Sequence, residues 1–262
     1  MLKPSPVLML SMALCLPRLF AAPDAPASSG SLRAEELVRE AASALPKMHS
    51  YELDVISNQS INDGKYIKTS HTYVETSFEQ SGGHKRIRMV SRKAADTTTI
   101  VSDGSGYWIY HESDRHYQRR TGSLPAEVYR SPTPGFSGTL SAENLPVSMQ
   151  SARIVRQEPL PVEDRKELCD VVVVQLKPDA APPDYQVKSN ELTLWLSHTY
   201  RVPMKVSGTF IHKNPDGSSQ AMDMTIIVQR FHPNAHLPLS TWTFVPPPES
   251  QPEPGTPVLP LK

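Results

Sequence analysis

The sequence predicts a mainly β protein: a half-open antiparallel β-barrel of about ten or eleven strands, with an N-terminal amphipathic helix packed over it. Three observations carry this expectation. Apolar residues recur at helical spacing only between residues 31 and 46. From Tyr51 onward they alternate with a period of two, and turn signals rich in Gly, Asn, Asp and Pro separate the alternating runs. The chain has 262 residues, and single β domains reach ~200–250 residues, so one domain with flanking segments is the natural organisation.

The first residues read as an export signal. Lys3 is a short positive start, and Val7 to Leu16 is an apolar run too short to span a bilayer. Ala21-Ala22-Pro23 offers a cleavage point, which sets a signal peptide over 1–22 and a flexible leader over 23–30. The expected location is therefore the periplasm. Cys15 is preceded by Leu14, not by the small residue that lipid attachment requires. Once the signal is removed only Cys169 remains, so no internal disulfide is possible. Cys169 reads as a small buried hydrophobe.

Ser31 can cap a helix whose first turns hold Glu35 and Glu36. Ala34, Leu37, Val38, Ala41 and Leu45 form its apolar stripe, and Pro46 ends the pattern after about fourteen residues. Tyr51, Leu53 and Val55 then alternate with Glu52 and Asp54. Asn62-Asp63-Gly64 turns the chain into a run from Lys65 to Phe78, and Ser81-Gly82-Gly83 turns it again. Ile87 and Met89 alternate with Arg86 and Arg88, Thr97 to Val101 follows, and Asp103-Gly104-Ser105-Gly106 leads into Tyr107-Trp108-Ile109-Tyr110. Residues 121–150 interrupt this rhythm with scattered Pro and Gly, as long functional loops do. Strands resume at 152–157, at the β-branched run 171–174, and around Leu192, Leu194 and Leu196. Segments 203–212 and 220–230 flank the hairpin signal Asn214-Pro215-Asp216-Gly217, and Thr241 to Phe244 reads as a last short strand. The domain thus spans 31–248. Seven prolines between 246 and 262 mark 249–262 as a proline-rich disordered tail.

Composition excludes several partners. Lys plus Arg equals Asp plus Glu at 27 each, so no net field draws the chain to nucleic acid. No catalytic residue is assigned, and the chain is not read as an enzyme. It lacks a Gly-x-Ser-x-Gly elbow, a phosphate-binding Gly-rich loop and a His-Glu-x-x-His motif. Gly104-Ser105-Gly106 lies between strands and reads as a turn, and Glu112-Ser113-Asp114 reads as a hairpin connection. His111 with His116, and His232 with His236, lack the companion ligands that a metal needs, so no metal or cofactor is expected. The basic run His84-Lys85-Arg86-Ile87-Arg88 reads as a solvated strand face, with phosphate or headgroup contact as the lesser alternative.

What remains is apolar supply. Tyr51, Leu53, Ile87, Met89, Trp108 and Tyr110 fall on expected strands, as do Leu194, Met204 and Phe210. One helix does not obviously cover them, and a curved sheet closed on one side only leaves an apolar concavity of the kind that holds ligands. Mutual packing accounts for the same residues equally well.

The stretch from Ile100 to Tyr110, with Asp103-Gly104 and Trp108-Ile109-Tyr110, resembles a hairpin of the periplasmic lipoprotein-carrier family, the LolA/LolB-like fold. Glu191-Leu-Thr-Leu-Trp-Leu-Ser197 with Val202-Pro203-Met204, and the closing Phe244-Val245-Pro246, are similar to further segments of that family. The resemblance spans roughly 32–248. It implies a half-open barrel closed by helices, a cavity for lipoprotein acyl chains, and Trp108, Tyr110, Leu194 and Met204 on or near the concave sheet. The expected partners are lipids or lipoprotein acyl chains and transient envelope proteins. The same fold also implies an alternative, an envelope-stress sensor like the N-terminal domain of RseB-type sigma-factor regulators, which binds a protein partner.

Overall fold

The computed structural model describes residues 29–62, 66–94, 96–124, 144–177, 185–213 and 218–253; side chains at 29, 185–190, 210, 212, 213 and 219 are not among those described. The signal peptide, most of the leader, the 63–64 and 214–217 turns, the centre of the 121–150 loop and residues 254–262 lie outside them.

Helix α1 runs Ser29–Lys47, longer at both ends than its apolar stripe suggests. The last two leader residues belong to it, and Pro46 sits inside its final turn. Ser31 does not cap it; its hydroxyl donates to the Ala152 carbonyl at 3.2 Å. Ala34, Leu37, Val38 and Ala41 are buried, as the 3.6-residue period requires.

Six strands follow as a meander: β1 (Ser50–Asn62), β2 (Ile67–Ser81), β3 (His84–Lys93), β4 (Asp96–Ser102), β5 (Gly106–His111) and β6 (His116–Thr121). After a four-residue helix α2 (Leu145–Ser148) come β7 (Met149–Val162), β8 (Arg165–Leu176), β9 (Tyr185–Ser197), β10 (Pro203–Lys213) and β11 (Ser219–Pro233). β12 (Gln251–Pro252) is the twelfth strand among the described residues, where the sequence predicts about ten or eleven. All belong to one sheet in the order β12-β6-β5-β4-β3-β2-β1-β11-β10-β9-β8-β7, antiparallel except for β12 on β6. Two meanders are therefore joined by the pairing of β1 with β11.

The sheet curls. Bulges interrupt β7 between Ile154 and Arg156, β10 between Pro203 and Lys205, and the β1–β11 ladder at Asp54/Val55, and each adds local bend and twist. As a result the β7–β8 turn reaches β11 across the intervening strands: the Glu163 amide donates to the Gln229 carbonyl at 2.9 Å, and Arg165 Nη2 to the Phe231 carbonyl at 2.9 Å. β10 has already ended there, its ladder with β11 stopping at Lys205 opposite Ile227. The β7–β8 tip thus occupies an edge of β11 that β10 leaves free. The two end strands of the sheet, β12 and β7, are not paired with each other, and the barrel stays half open.

Two expectations are corrected. Thr241–Phe244 is not a strand; Leu239–Trp242 is a 3-10 turn. Pro238 and Pro246 to Pro248 bracket it and withhold ladder donors, and the segment crosses the sheet near β3 instead. The tail does not begin free at 249 either. Arg115 pairs with Glu249 at 2.5 Å, the Gln251 amide donates to the Arg115 carbonyl, and Gln118 bonds Glu253.

The β4–β5 turn forms as its residues dictate. Asp103 Oδ1 accepts from Ser105 N and Oγ, each at 2.8 Å, and from Gly106 N at 3.0 Å. Burial pulls the Asp103 carboxyl upward, but these bonds hold it below its ordinary value. Gly104 has φ +92°, and a Cβ on Gly106 would stand 2.9 Å from the Arg120 carbonyl oxygen. Gly106→Ala is accordingly expected to cost about 1–3 kcal/mol, read as a lower urea midpoint with an unchanged slope.

Candidate functional site

Residues directly opposite one another in an antiparallel ladder share a face, so the register sorts the candidate residues. One row runs Leu53, Thr76, Met89, Ile100, Ile109, Gln118 across β1 to β6. The row beside it runs Tyr51, Phe78, Ile87, Ser102, Tyr107, Arg120. On the other side of β1, Ser57 faces Ile226, Ile226 faces Val206, and Val206 faces Leu194. Tyr51, Leu53, Ile87, Met89 and Leu194 therefore share one face. This is the inner face, because Leu53, Leu194 and the buried stripe of α1 belong to one core cluster.

Trp108 and Tyr110 alternate with Tyr107 and Ile109, so they lie on the opposite, outer face. There Phe244 packs at the centre of an aromatic cluster, its ring centroid 5.3 Å from Trp108, 6.1 Å from Tyr110 and 6.2 Å from Tyr117, with Arg119 over the Trp108 ring at 5.4 Å. These two aromatics do not join the other candidates. Met204 is the extra residue of the β10 bulge and is fully buried. Phe210 is paired in register with Met222, and its side chain lies outside the described ones.

Coverage of the inner face is uneven. Helix α1 packs on β7 and β9, and there Leu192, Leu194, Val172 and Val174 are sealed. Tyr51 stacks on Phe78 at 5.1 Å, and its burial drives the phenol pKa far above its ordinary value. Toward β3–β5 the same face keeps Met89, Ile100 and Ile109 only partly buried, beside Ile87, Tyr107 and Leu124. Further along these strands it turns polar, with Ser91 opposite Thr98 and Thr98 opposite His111. The candidate site is this partly covered apolar patch. Sequence reasoning includes Met89 but misses Ile100, Tyr107 and Ile109. The alternation of Tyr107-Trp108-Ile109-Tyr110 offers two equally apolar faces, and no local signal says which one looks inward.

The outer face carries a polar belt. Asp54, buried, takes Tyr73 Oη at 2.9 Å and Arg230 at 2.9 and 3.2 Å. Burial, then the bond to Asp54, pushes Tyr73 up to about 12. Arg86 of the basic run reaches Glu79 at 3.5 Å, and Arg92 beyond that run holds Glu75 at 2.8 Å. Cys169 is buried, and its thiol is pushed up to about 12, first by burial and then by Glu167, Asp170 and Glu158. A thiol so held is not a nucleophile at neutral pH. Asp170 is held below its ordinary value: burial raises it, but His198 at 2.8 Å and Gln157 at 3.1 Å outweigh that.

Among the described residues no group of three His, Cys, Asp or Glu is placed to hold a metal ion, and no helix is long and apolar enough to cross a membrane. His111 faces His116 across β5–β6, with His111 Nδ1 on Thr98 Oγ1 and His116 Nδ1 on the Asp114 carbonyl.

No protein-family model matches the chain, and no curated protein matches it. Solved structures with a similar fold include a DUF1329 family protein from Desulfovibrio piger, at 11% identity and a TM-score of 0.33, covering 82% of this chain and 98% of that one. A putative outer membrane lipoprotein-sorting protein domain from Vibrio parahaemolyticus matches at 10% and 0.31, covering 80% and 96%. A LolA superfamily protein from Nitrosomonas europaea matches at 12% and 0.27, covering 80% and 97%. At such identities and TM-scores these likenesses say nothing about what this chain binds. The architecture itself, one N-terminal helix ahead of a single unclosed antiparallel sheet, is the half-open barrel with a packed helix that the sequence predicts.

Proposed function

We propose that this chain is a periplasmic binding or carrier protein for an apolar ligand, a lipoprotein acyl chain or another lipid, taken up on the inner face of the half-barrel. The observation that carries this reading is the row Met89, Ile100, Ile109, partly buried on the face whose other end is sealed by α1. An acyl chain laid there gains ~0.8 kcal/mol per buried CH2 and needs no ionic contact. The chemistry of the site is burial alone; among the described residues of this patch no group is poised to cleave or transfer anything.

The test is to express the full chain in a bacterial periplasm and record its native mass with organic extraction of any bound species. About one acyl species per protein is expected. Ile109→Glu should lower its occupancy about tenfold, because a carboxylate at the patch must be desolvated by the ligand, whereas Trp108→Ala on the outer face should leave it unchanged. Leu194 is unsuitable for this purpose: at 2% exposure it is core, and a carboxylate there would report on folding. An apo mass, with no uptake of added fatty acid or lipopeptide, would overturn the carrier reading and turn the search to a protein partner.

A further inference from the structure

The inner face of β6 is polar where the strands beside it are not. Register places His116, Gln118 and Arg120 on that face, opposite His111, Ile109 and Tyr107 of β5. The row Met89, Ile100, Ile109 therefore ends at an amide, and the row beside it, Ile87, Ser102, Tyr107, ends at a guanidinium. Neighbouring strands lie about 4.8 Å apart, so the apolar floor that starts on β3 meets this polar margin after about 14 Å.

A polar margin alone is an ordinary solvated edge; the state of its charges sets this one apart. Arg120 folds back onto Gln118, its Nε donating to Oε1 at 3.2 Å and its Nη2 to the same oxygen at 2.9 Å. On the other side Gln118 Nε2 donates to Glu253 Oε2, just past β12. One amide thus stands between a guanidinium and a carboxylate. Among the described residues neither Arg120 nor Glu253 forms an ion pair, whereas Arg86, Arg92, Arg115, Arg156 and Arg230 each hold a carboxylate. A guanidinium has five N–H donors. That of Arg120 is exposed, and two of its nitrogens meet only one neutral oxygen.

We propose that Arg120, folded onto Gln118, is a head-group site: it receives the anionic end, a carboxylate or a phosphate, of an amphiphile whose acyl chain lies across Ile109, Ile100 and Met89. This rests on the carrier reading and adds a direction to it, with the head at β6 and the tail toward β3. Burial holds the chain without an ionic contact, and the guanidinium selects among chains by what they carry at one end. Its planar fork matches either oxyanion with two parallel hydrogen bonds. Glu253, beyond Gln118, opposes an anion, and the exposure of Arg120 admits salt, so the preference is moderate.

The experiment compares three probes on the full chain, freed of co-purified lipid on a hydrophobic resin: dodecanoate, dodecyl phosphate and dodecanol, each titrated by calorimetry at neutral pH. Wild type is expected to bind the two anions about tenfold more tightly than dodecanol, and their order tells a carboxylate head from a phosphate one. About 0.5 M salt should shrink the preference. Arg120→Gln should bring the ratio of dodecanoate to dodecanol affinity close to one, and Arg120→Lys should keep part of it. Arg119→Gln, which removes the same charge from the outer face, should leave the ratio as in wild type. Equal affinities in wild type, a preference that survives Arg120→Gln, or one that falls as far in Arg119→Gln would overturn the head-group site. The carrier reading would stand in each of those cases, because dodecanol would still bind; failure of all three probes would overturn both. The wild-type comparison decides the matter if the variants prove unstable.

Discussion

Phe231→Ala is expected to destabilise the protein by about 3–5 kcal/mol, at the upper end of what a single truncation in a core costs. The side chain is fully buried, sits in register with Leu53, and takes the edge of Tyr200 at 5.3 Å. Its surroundings cannot collapse freely into the gap. The backbone at that point is fixed by Arg165 on the Phe231 carbonyl and by the Glu163–Gln229 bond, so the cavity would persist. Chemical denaturation followed by tryptophan fluorescence and by circular dichroism should give coincident curves with a lowered midpoint. A loss under about 1 kcal/mol would mean that the turn and β11 are less firmly packed than the geometry requires.

Phe244→Ala is the second. It should cost about 1–2 kcal/mol by opening the partly buried aromatic cluster around Trp108, Tyr110 and Tyr117. Its consequence for function should be nil, since the cluster lies on the outer face, away from Met89 and Ile109. Near-ultraviolet circular dichroism should lose intensity as Trp108 is released, while acyl occupancy per folded protein stays constant. If occupancy fell in step with the signal, the assignment of the two faces would be wrong.

The meander is legible in the sequence because period-two alternation and turn residues are local properties. The Asp103 turn needs only Asp, Gly, Ser and Gly in order, and α1 needs only its stripe. Faces are harder. Which side of β5 looks inward depends on the register of Ser102 against Tyr107 and of Ile87 against Ser102, which accumulates strand by strand and is written in no single segment. Hence alternation groups Tyr51, Leu53, Ile87 and Met89 with true neighbours on one face, but it sets Trp108 and Tyr110 among residues on the other side of the sheet. The same limit explains why Thr241–Phe244 reads as a strand: its composition is right, and only the surrounding prolines and the path of the chain across the sheet decide otherwise. His232 stands out in the sequence for its spacing from His236, yet its partners come from β1 and from a turn 69 residues away, beyond the reach of any local pattern.

An unclosed sheet ends in two outer strands, and an outer strand is a template for another chain. Here both outermost strands contain proline. β12 presents Pro252 beside β6, and β7 carries Pro159 and Pro161 opposite Leu168 and Lys166. An edge strand tolerates proline where the missing N–H would point away from its neighbour, so the outward side of β7 lacks donors at two alternate positions, and its bulge at Val155 breaks the repeat as well. A foreign strand approaching β7 therefore meets gaps where it needs hydrogen bonds. Among the described residues, β7 can thus remain an outer strand of the open barrel without offering another chain a full ladder.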